Sequence, residues 1–213
     1  MKVLVGSHAH GLAGPGSDQD FRNVYVIPTS ELFRVGFKYP GMRIMKEAAD
    51  ETAWEIDHFL QLALQGHPLA LETLVAPVVT MDDWGAELRQ LFPHLWSAQK
   101  AYDSFIHYCE NQRKKMLEKK DGRPAKYAAA YLRVLFNLCE LLERGTFSIR
   151  IADTAIGETM RKIKDGHCRV GEVIDLGEYW ANEAAQRLAA CAQQARPDLA
   201  DAFLIKLRKA FLN

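Results

Sequence analysis

The sequence predicts an α+β protein: a small mixed β-sheet at the N-terminus followed by a helical C-terminal region. Three observations carry this expectation. Residues 1–50 are rich in Gly, Pro and β-branched residues and hold short apolar runs between turn signals. From Glu51 onward the apolar residues recur at helical spacing. Apolar residues make up 48% of the 213-residue chain and charged residues 25%, a balance that builds a core and excludes disordered and collagen-like classes.

The elements follow in order. Val3–Val5 and Phe21–Ile27 read as strands, joined through a turn carrying Gly11, Gly14, Pro15 and Gly16. Pro28 stops the second strand. A loop with Gly36, Pro40 and Gly41 leads to a third strand over Arg43–Ala49, although its alanines lower its β-propensity. Trp54, Ile56, Phe59, Leu60 and Leu62–Leu64 then mark a helix that Gly66-His67-Pro68 ends. Leu69–Leu74 and Asp83–Phe92 read as short helices. Ser97–Leu117 and Ala125–Leu142 read as long amphipathic ones, stopped by Gly122 and Gly145. Helices over Gly157–Lys164, Glu178–Ala195 and Pro197–Phe211 complete the chain. Residues 1–80 are expected to form the core, and residues 81–213 a helical region closing a cleft against it.

Charge and composition narrow the classes of partner. Twenty-seven Lys+Arg balance 27 Asp+Glu, so there is no bulk attraction to nucleic acid or membrane, and any such partner must be met through a local patch. No apolar run approaches the roughly 18 residues a membrane span needs. The start, MKVLVGSHAHG, has no secretory apolar region, so a cytoplasmic location without a membrane partner is expected. Cys109, Cys139, Cys168 and Cys191 lie 23 to 30 residues apart and form no CxxC pair, which points to reduced, structural thiols.

The chemistry is concentrated in Gly6-Ser7 and, ten residues further on, Asp18-Gln19-Asp20. A glycine directly after a strand lets the backbone approach a phosphate, and Ser7 adds a hydroxyl at the start of a helical turn. Asp18 and Asp20 are expected at the start of the second strand, where period-2 alternation aims both side chains to one face. Two carboxylates so placed repel each other unless a cation bridges them. Magnesium suits the role, because it takes one or two carboxylates together with substrate phosphates. Two such ions, with manganese as the alternative metal, would clamp the attacking and leaving oxygens of a displacement at phosphorus. Asp50, at the end of the expected third strand, is the best-placed third carboxylate.

Competing motifs fail on the same residues. Gly6 and Gly11 have P-loop spacing, but Leu12-Ala13 stands where Lys-Ser/Thr is required. GxGxxG is absent. The bland alternative, Ser17-Asp18 capping a turn and Asp20 solvated at a strand edge, leaves the upstream Gly-Ser unexplained.

Gly-Ser, a short helix and then DxD resembles the signature of the DNA polymerase β-type nucleotidyltransferases. The longer string GSHAHGLAGPGSDQDFRNVYV is similar to the RlaP or YcgL-like group, and Arg22 matches that group's arginine. A second block, DETAWEIDHFLQLALQGHPLALETLVAP, is similar to the group's pattern. There Asp50 takes the third carboxylate position, Trp54 the aromatic, Pro68 the proline and Glu72 the glutamate. KYAAAYLRVL resembles a family helix carrying Lys and Arg, and ARPDL a later Pro-Asp segment. His10 stands where an aromatic is usual, and His67 where Asn is usual.

The resemblance implies nucleotidyl transfer. A nucleoside triphosphate would bind over Gly6-Ser7, with Asp18, Asp20 and Asp50 as metal ligands and catalytic carboxylates. An NMP would pass to a hydroxyl on an RNA end, a protein or a small molecule, releasing pyrophosphate. Two other classes stay open: an inactive nucleotide- or RNA-binding module on the same fold, and an all-helical interaction protein with a decorated N-terminus.

Further cations are candidates for phosphate contact. Alternation aims Arg22 to the face of Asp20, where it can steer a phosphate or pair with a carboxylate; a solvated strand-edge arginine is the alternative. Glu72, between apolar neighbours, is a candidate buried partner for Arg22. Lys126 and Arg133 lie seven apart, two turns along one helix face, and either reach phosphates or are simply exposed. The remainder of Gln112–Lys126, with seven Lys/Arg and two acids, reads as a solvated helix end. His8 and His10 are expected to line the pocket. Glu55, Asp57 and His58 are expected to cap a helix in solvent.

Overall fold

A computed structural model describes residues 1–40, 42–45 and 50–212, with the backbone alone at 42–45, 50 and 120. Five strands form one mixed sheet among the described residues: β1 (Lys2–Val5), β2 (Asp20–Tyr25), β3 (Met42–Met45), β4 (Asp50–Glu55) and β5 (Val78–Thr80), in the order β3-β4-β2-β1-β5. β2 pairs in parallel with β4, and every other pairing is antiparallel. The α+β expectation therefore holds. Alternation sets the two faces: Val3, Val5, Val24 and Trp54 turn inward and are buried. Lys2 turns outward, pairs with Glu51 and lies 4.2 Å from the Phe21 ring centroid.

Three strands depart from the sequence expectation, β5 being one that it does not contain. The third strand is observed over Met42–Met45, and the rest of the expected Arg43–Ala49 segment lies outside the described residues. Asp50–Glu55, expected to lead into a helix, is β4, and helix α3 (Ile56–Leu64) starts only after it. No Gly or Pro marks this junction. Trp54 and Phe59 fall on one apparent helical stripe although they belong to different elements, and their rings meet at 6.0 Å between centroids. Glu55 makes the switch by accepting the Asp57 N–H at 2.8 Å as N-cap.

The remaining helices are α1 (Gly6–Ala9) and α2 (Thr29–Leu32), then α4 (Pro68–Val75), α5 (Asp83–Gln90), α6 (Ala98–Leu117), α7 (Pro124–Arg144), α8 (Gly157–Lys164), α9 (Val170–Ala190) and α10 (Pro197–Ala210). Gly145, at φ +73°, ends α7 as a left-handed cap. α7 is the axis of the helical region. Every residue from Tyr131 to Leu142 is buried, because α6, α8 and α9 pack around it. Each large apolar side chain buried there contributes about 1.5–3 kcal/mol. One core runs from Leu12, Val24 and Trp54 through α7 to Phe203 and Leu207, so sheet and helices share it.

The last helix closes the far end of the sheet. Arg208 donates to Ile27 O at 3.1 Å and pairs with Glu55 at 2.7 Å, and the Thr29 N–H donates to Phe211 O at 2.7 Å. Glu55 is completely buried and also accepts from the Tyr39 hydroxyl at 2.5 Å. Its expected capping role is present, but the expected solvation is not: a buried carboxylate needs these partners. All four cysteines are free, with Cys109 and Cys139 buried. No described helix is long and apolar enough to cross a membrane.

Candidate active site

β1 delivers the chain to Gly6, whose φ of +67° is the left-handed conformation that favours glycine. A Cβ built there would lie 2.0 Å from Asp20 Oδ2, so any side chain at this position displaces the carboxylate. α1 is a single turn, closed by the His10 N–H donating to Gly6 O at 3.0 Å and the Leu12 N–H to Ser7 O at 2.9 Å. The chain then reverses at Gly14–Ser17. The Ser17 N–H bonds Gly14 O, the Gly14 N–H bonds Ser17 Oγ, and His8 Nε2 lies 2.9 Å from Ser17 O. His8 thus ties the turn to the residue before Asp18.

The three carboxylates occupy distinct positions. Asp20 opens β2, opposite Val5 on β1. Asp50 opens β4 and is paired in register with Asp20, not placed at the end of the third strand. Because β2 and β4 are parallel, both first residues come to the same edge of the sheet. Asp50's side chain lies outside the described residues. Asp18 is exposed and precedes the strand by two residues, so strand alternation does not orient it. Among the described residues no three His, Cys, Asp or Glu side chains gather as a metal site. The donor chemistry still fits a hard cation: carboxylate oxygens beside a glycine turn that admits no side chain.

Behind this edge lies a buried ionic cluster centred on Glu72 of α4. Arg22, two residues beyond Asp20 on the same face of β2, donates to Glu72 Oε2 at 2.5 Å and to Leu69 O at 3.2 Å. Arg133 of α7 donates to Oε1 at 2.6 Å, and His10 Nε2 meets the same oxygen at 2.9 Å. Glu72 is 2% exposed, Arg133 7% and His10 8%. Burial alone would raise the Glu72 pKa, but Arg133 and then Arg22 hold it well below the usual carboxylate range. Burial first, then Arg133, lowers the His10 pKa. A neutral His10 therefore donates its Nε2–H to the carboxylate. His67, the N-cap of α4, has a buried Nδ1 without a hydrogen-bond partner, and burial followed by Arg22 lowers its pKa.

The structure thus joins Gly6 to Asp20, sets Asp50 beside Asp20 in register, and gathers Arg22 with Arg133. The anticipated Arg22–Glu72 pair is present. The addition of His10 and Arg133 was not anticipated, although single charges inside LALETLV and LRVLF were a signal for it. Lys126 is exposed in the first turn of α7, about 10 Å along the axis from Arg133, and stands apart from the cluster.

Residues 1–163 match the profile of RlaP, described as an RNA repair pathway DNA polymerase beta family. The chain is also similar to an uncharacterized 38.9 kDa protein in the nrdC-mobD intergenic region of Enterobacteria phage T4. Identity is 28% over 85 residues, which is 36% of this chain and 25% of that protein. No solved structure matches.

Proposed function

The chain belongs to the RNA repair pathway DNA polymerase beta family, RlaP, and from this we propose that it is a magnesium-dependent nucleotidyltransferase. It would transfer an NMP from a nucleoside triphosphate to a hydroxyl acceptor on an RNA end, a protein or a small molecule. One observation carries the reading: the Asp20 carboxylate lies against Gly6 where a side chain would otherwise sit, and the parallel register brings Asp50 alongside. That is the juxtaposition a phosphoryl site needs, and a turn-capping role for the DxD segment does not explain it.

Asp18, Asp20 and Asp50 would hold the metal, as two Mg²⁺ or Mn²⁺ ions. Bound there, the cations neutralise charge on the phosphates and acidify the acceptor hydroxyl. Gly6 and Ser7 bind phosphate oxygens through backbone N–H groups and the Ser7 hydroxyl. Arg22 and Arg133 favour the anion from the Glu72 cluster, and Lys126, exposed further along α7, is the remaining candidate cation. Asp50 accepts the acceptor's proton as the hydroxyl oxygen bonds to the α-phosphorus. The bond from that phosphorus to the bridging oxygen breaks, and pyrophosphate leaves with the electron pair. Fixed position and electrostatics supply most of the rate.

The test is incubation with each labelled nucleoside triphosphate, Mg²⁺ and total cell RNA or protein. Label should enter one acceptor class with release of pyrophosphate. The Asp18→Asn, Asp20→Asn double variant should lose transfer while keeping its circular dichroism spectrum. Turnover that survives the double change removes the catalytic assignment. Nucleotide-dependent thermal stabilisation without pyrophosphate release from any acceptor would mark a binding module instead.

A further inference from the structure

We propose that the buried cluster of Glu72, Arg22, Arg133 and His10 acts as a charge-setting unit for the phosphate site, with Glu72 fixing its net charge at plus one. This deepens the nucleotidyltransferase reading and rests on it. The cluster touches the site through two covalent connections. Arg22 follows Asp20 by two residues on one strand face, about 7 Å along β2. His10 lies one turn beyond Gly6 and bonds its carbonyl.

The charge follows from the groups present. One carboxylate faces two guanidiniums, both of which donate to it. Burial and then Arg133 disfavour the His10 cation, and burial and then Arg22 the His67 cation, so neither ring is counted in the sum. One positive charge is left over, shielded from water by α4 and α7. Both guanidiniums are held on Glu72 through Nη1, and Arg22 also on Leu69 O, so the surplus reaches the phosphate site chiefly as a field. Glu72 is thus a positioning residue that touches no substrate: it holds the two cations in place and limits their sum.

A field and a scaffold predict opposite signs for one substitution. Mg²⁺ with inorganic tripolyphosphate is the probe, since it carries the phosphates without a base, and calorimetry gives its Kd. Arg133→Met brings the cluster to neutrality and should weaken binding roughly five- to thirtyfold, from one charge at about 8 Å in an effective dielectric of about 20–40. Glu72→Gln raises the sum to plus two and should tighten binding even as the melting temperature falls. The double variant Glu72→Gln, Arg133→Met returns the sum to plus one and should recover most of the affinity lost in Arg133→Met.

A structural role depresses affinity in Glu72→Gln and Arg133→Met alike, and that result overturns the proposal. If Glu72→Gln does not fold, Arg133→Lys against Arg133→Met decides, because lysine restores the charge without the guanidinium's fork: Arg133→Lys should recover much of the affinity, and a lysine variant that binds no better than Arg133→Met overturns the proposal. A double variant that binds no better than Arg133→Met also overturns it. Wild-type protein that binds neither Mg²⁺-tripolyphosphate nor any Mg²⁺-nucleoside triphosphate defeats the nucleotidyltransferase reading, and the charge proposal with it. Wild-type binding with no change across the variants defeats the charge proposal alone.

Discussion

The α-carbon of Gly6 lies so close beneath the carboxylate of Asp20 that a methyl group added to it would sit 2.0 Å from Oδ2. Gly6→Ala must therefore move Asp20 or the turn. The left-handed backbone at Gly6 adds a cost of about 1–2 kcal/mol for any other residue. NMP transfer should fall by about a hundredfold, the scale of a 1 Å misplacement at a reacting centre. Thermal denaturation should show only a modest loss, about 2–4 °C per kcal/mol for a chain of this size. Full activity in Gly6→Ala would separate the turn from the chemistry.

Stability should fall with pH in two stages. His10 and His67 bind protons more readily unfolded than folded, so stability is lost as pH drops through the ordinary histidine range near about 6.5. Glu72 has the usual carboxylate sign: its contribution is present above the unfolded carboxylate pKa and disappears as pH falls towards its depressed folded value. Urea midpoints taken between about pH 7.5 and 2.5 should decline in these two stages. His10→Gln should flatten the upper stage and spare the lower one. A midpoint independent of pH above about 5 contradicts the neutral assignment of the histidines.

Arg208→Met should be among the most damaging substitutions far from the site. It leaves Glu55 wholly buried without its guanidinium, and breaking such a pair costs about 3–5 kcal/mol. Tyr39 and two backbone N–H groups remain as partners, so the loss should lie at the lower end of that range. Chemical denaturation of the single variant and of Glu55→Gln, Arg208→Met measures it, and the double change should recover part of the loss.

Thiol labelling should divide the cysteines in two. Burial raises the Cys109 pKa, and it pushes Cys139 up to about 11. Cys168 and Cys191 are partly exposed. An aromatic disulfide reagent should react with the latter pair in native protein and with all four in urea. Rapid native labelling of Cys109 would contradict the packing of α6 on α7.

The helices were the legible part of the fold, except α9, which spans Val170–Ala190 where Glu178–Ala195 is expected. The boundaries of α6, α7, α8 and α10 fall within two residues of those expected from periodicity and from Gly145 and Pro197. β4 was hidden because its inward Trp54 continues the apolar stripe of α3 and no breaker separates them. β5 was missed because three exposed residues, Val78–Thr80, carry no alternation to read. In the site, the grouping of Gly6-Ser7 with Asp20 was legible because a glycine and a DxD segment around a short turn have few other uses, but the close approach of Gly6 to the Asp20 carboxylate was not. The partnership of Glu72 with Arg133 was not, since it joins residues 61 apart on helices whose docking no local pattern encodes. Asp18 was placed in the strand by alternation, but the Gly14–Ser17 turn delays pairing until Asp20.

The grip of α10 on the sheet also orders events during synthesis. Ile27 and Glu55 leave the ribosome some 150 or more residues before Arg208, their partner. Until then the nascent chain carries an unsealed sheet end and an ion without its counterpart. Such distant closure slows folding and prolongs exposure to aggregation. A slow final step, completed only once the last helix docks, is the kinetic signature this architecture imposes.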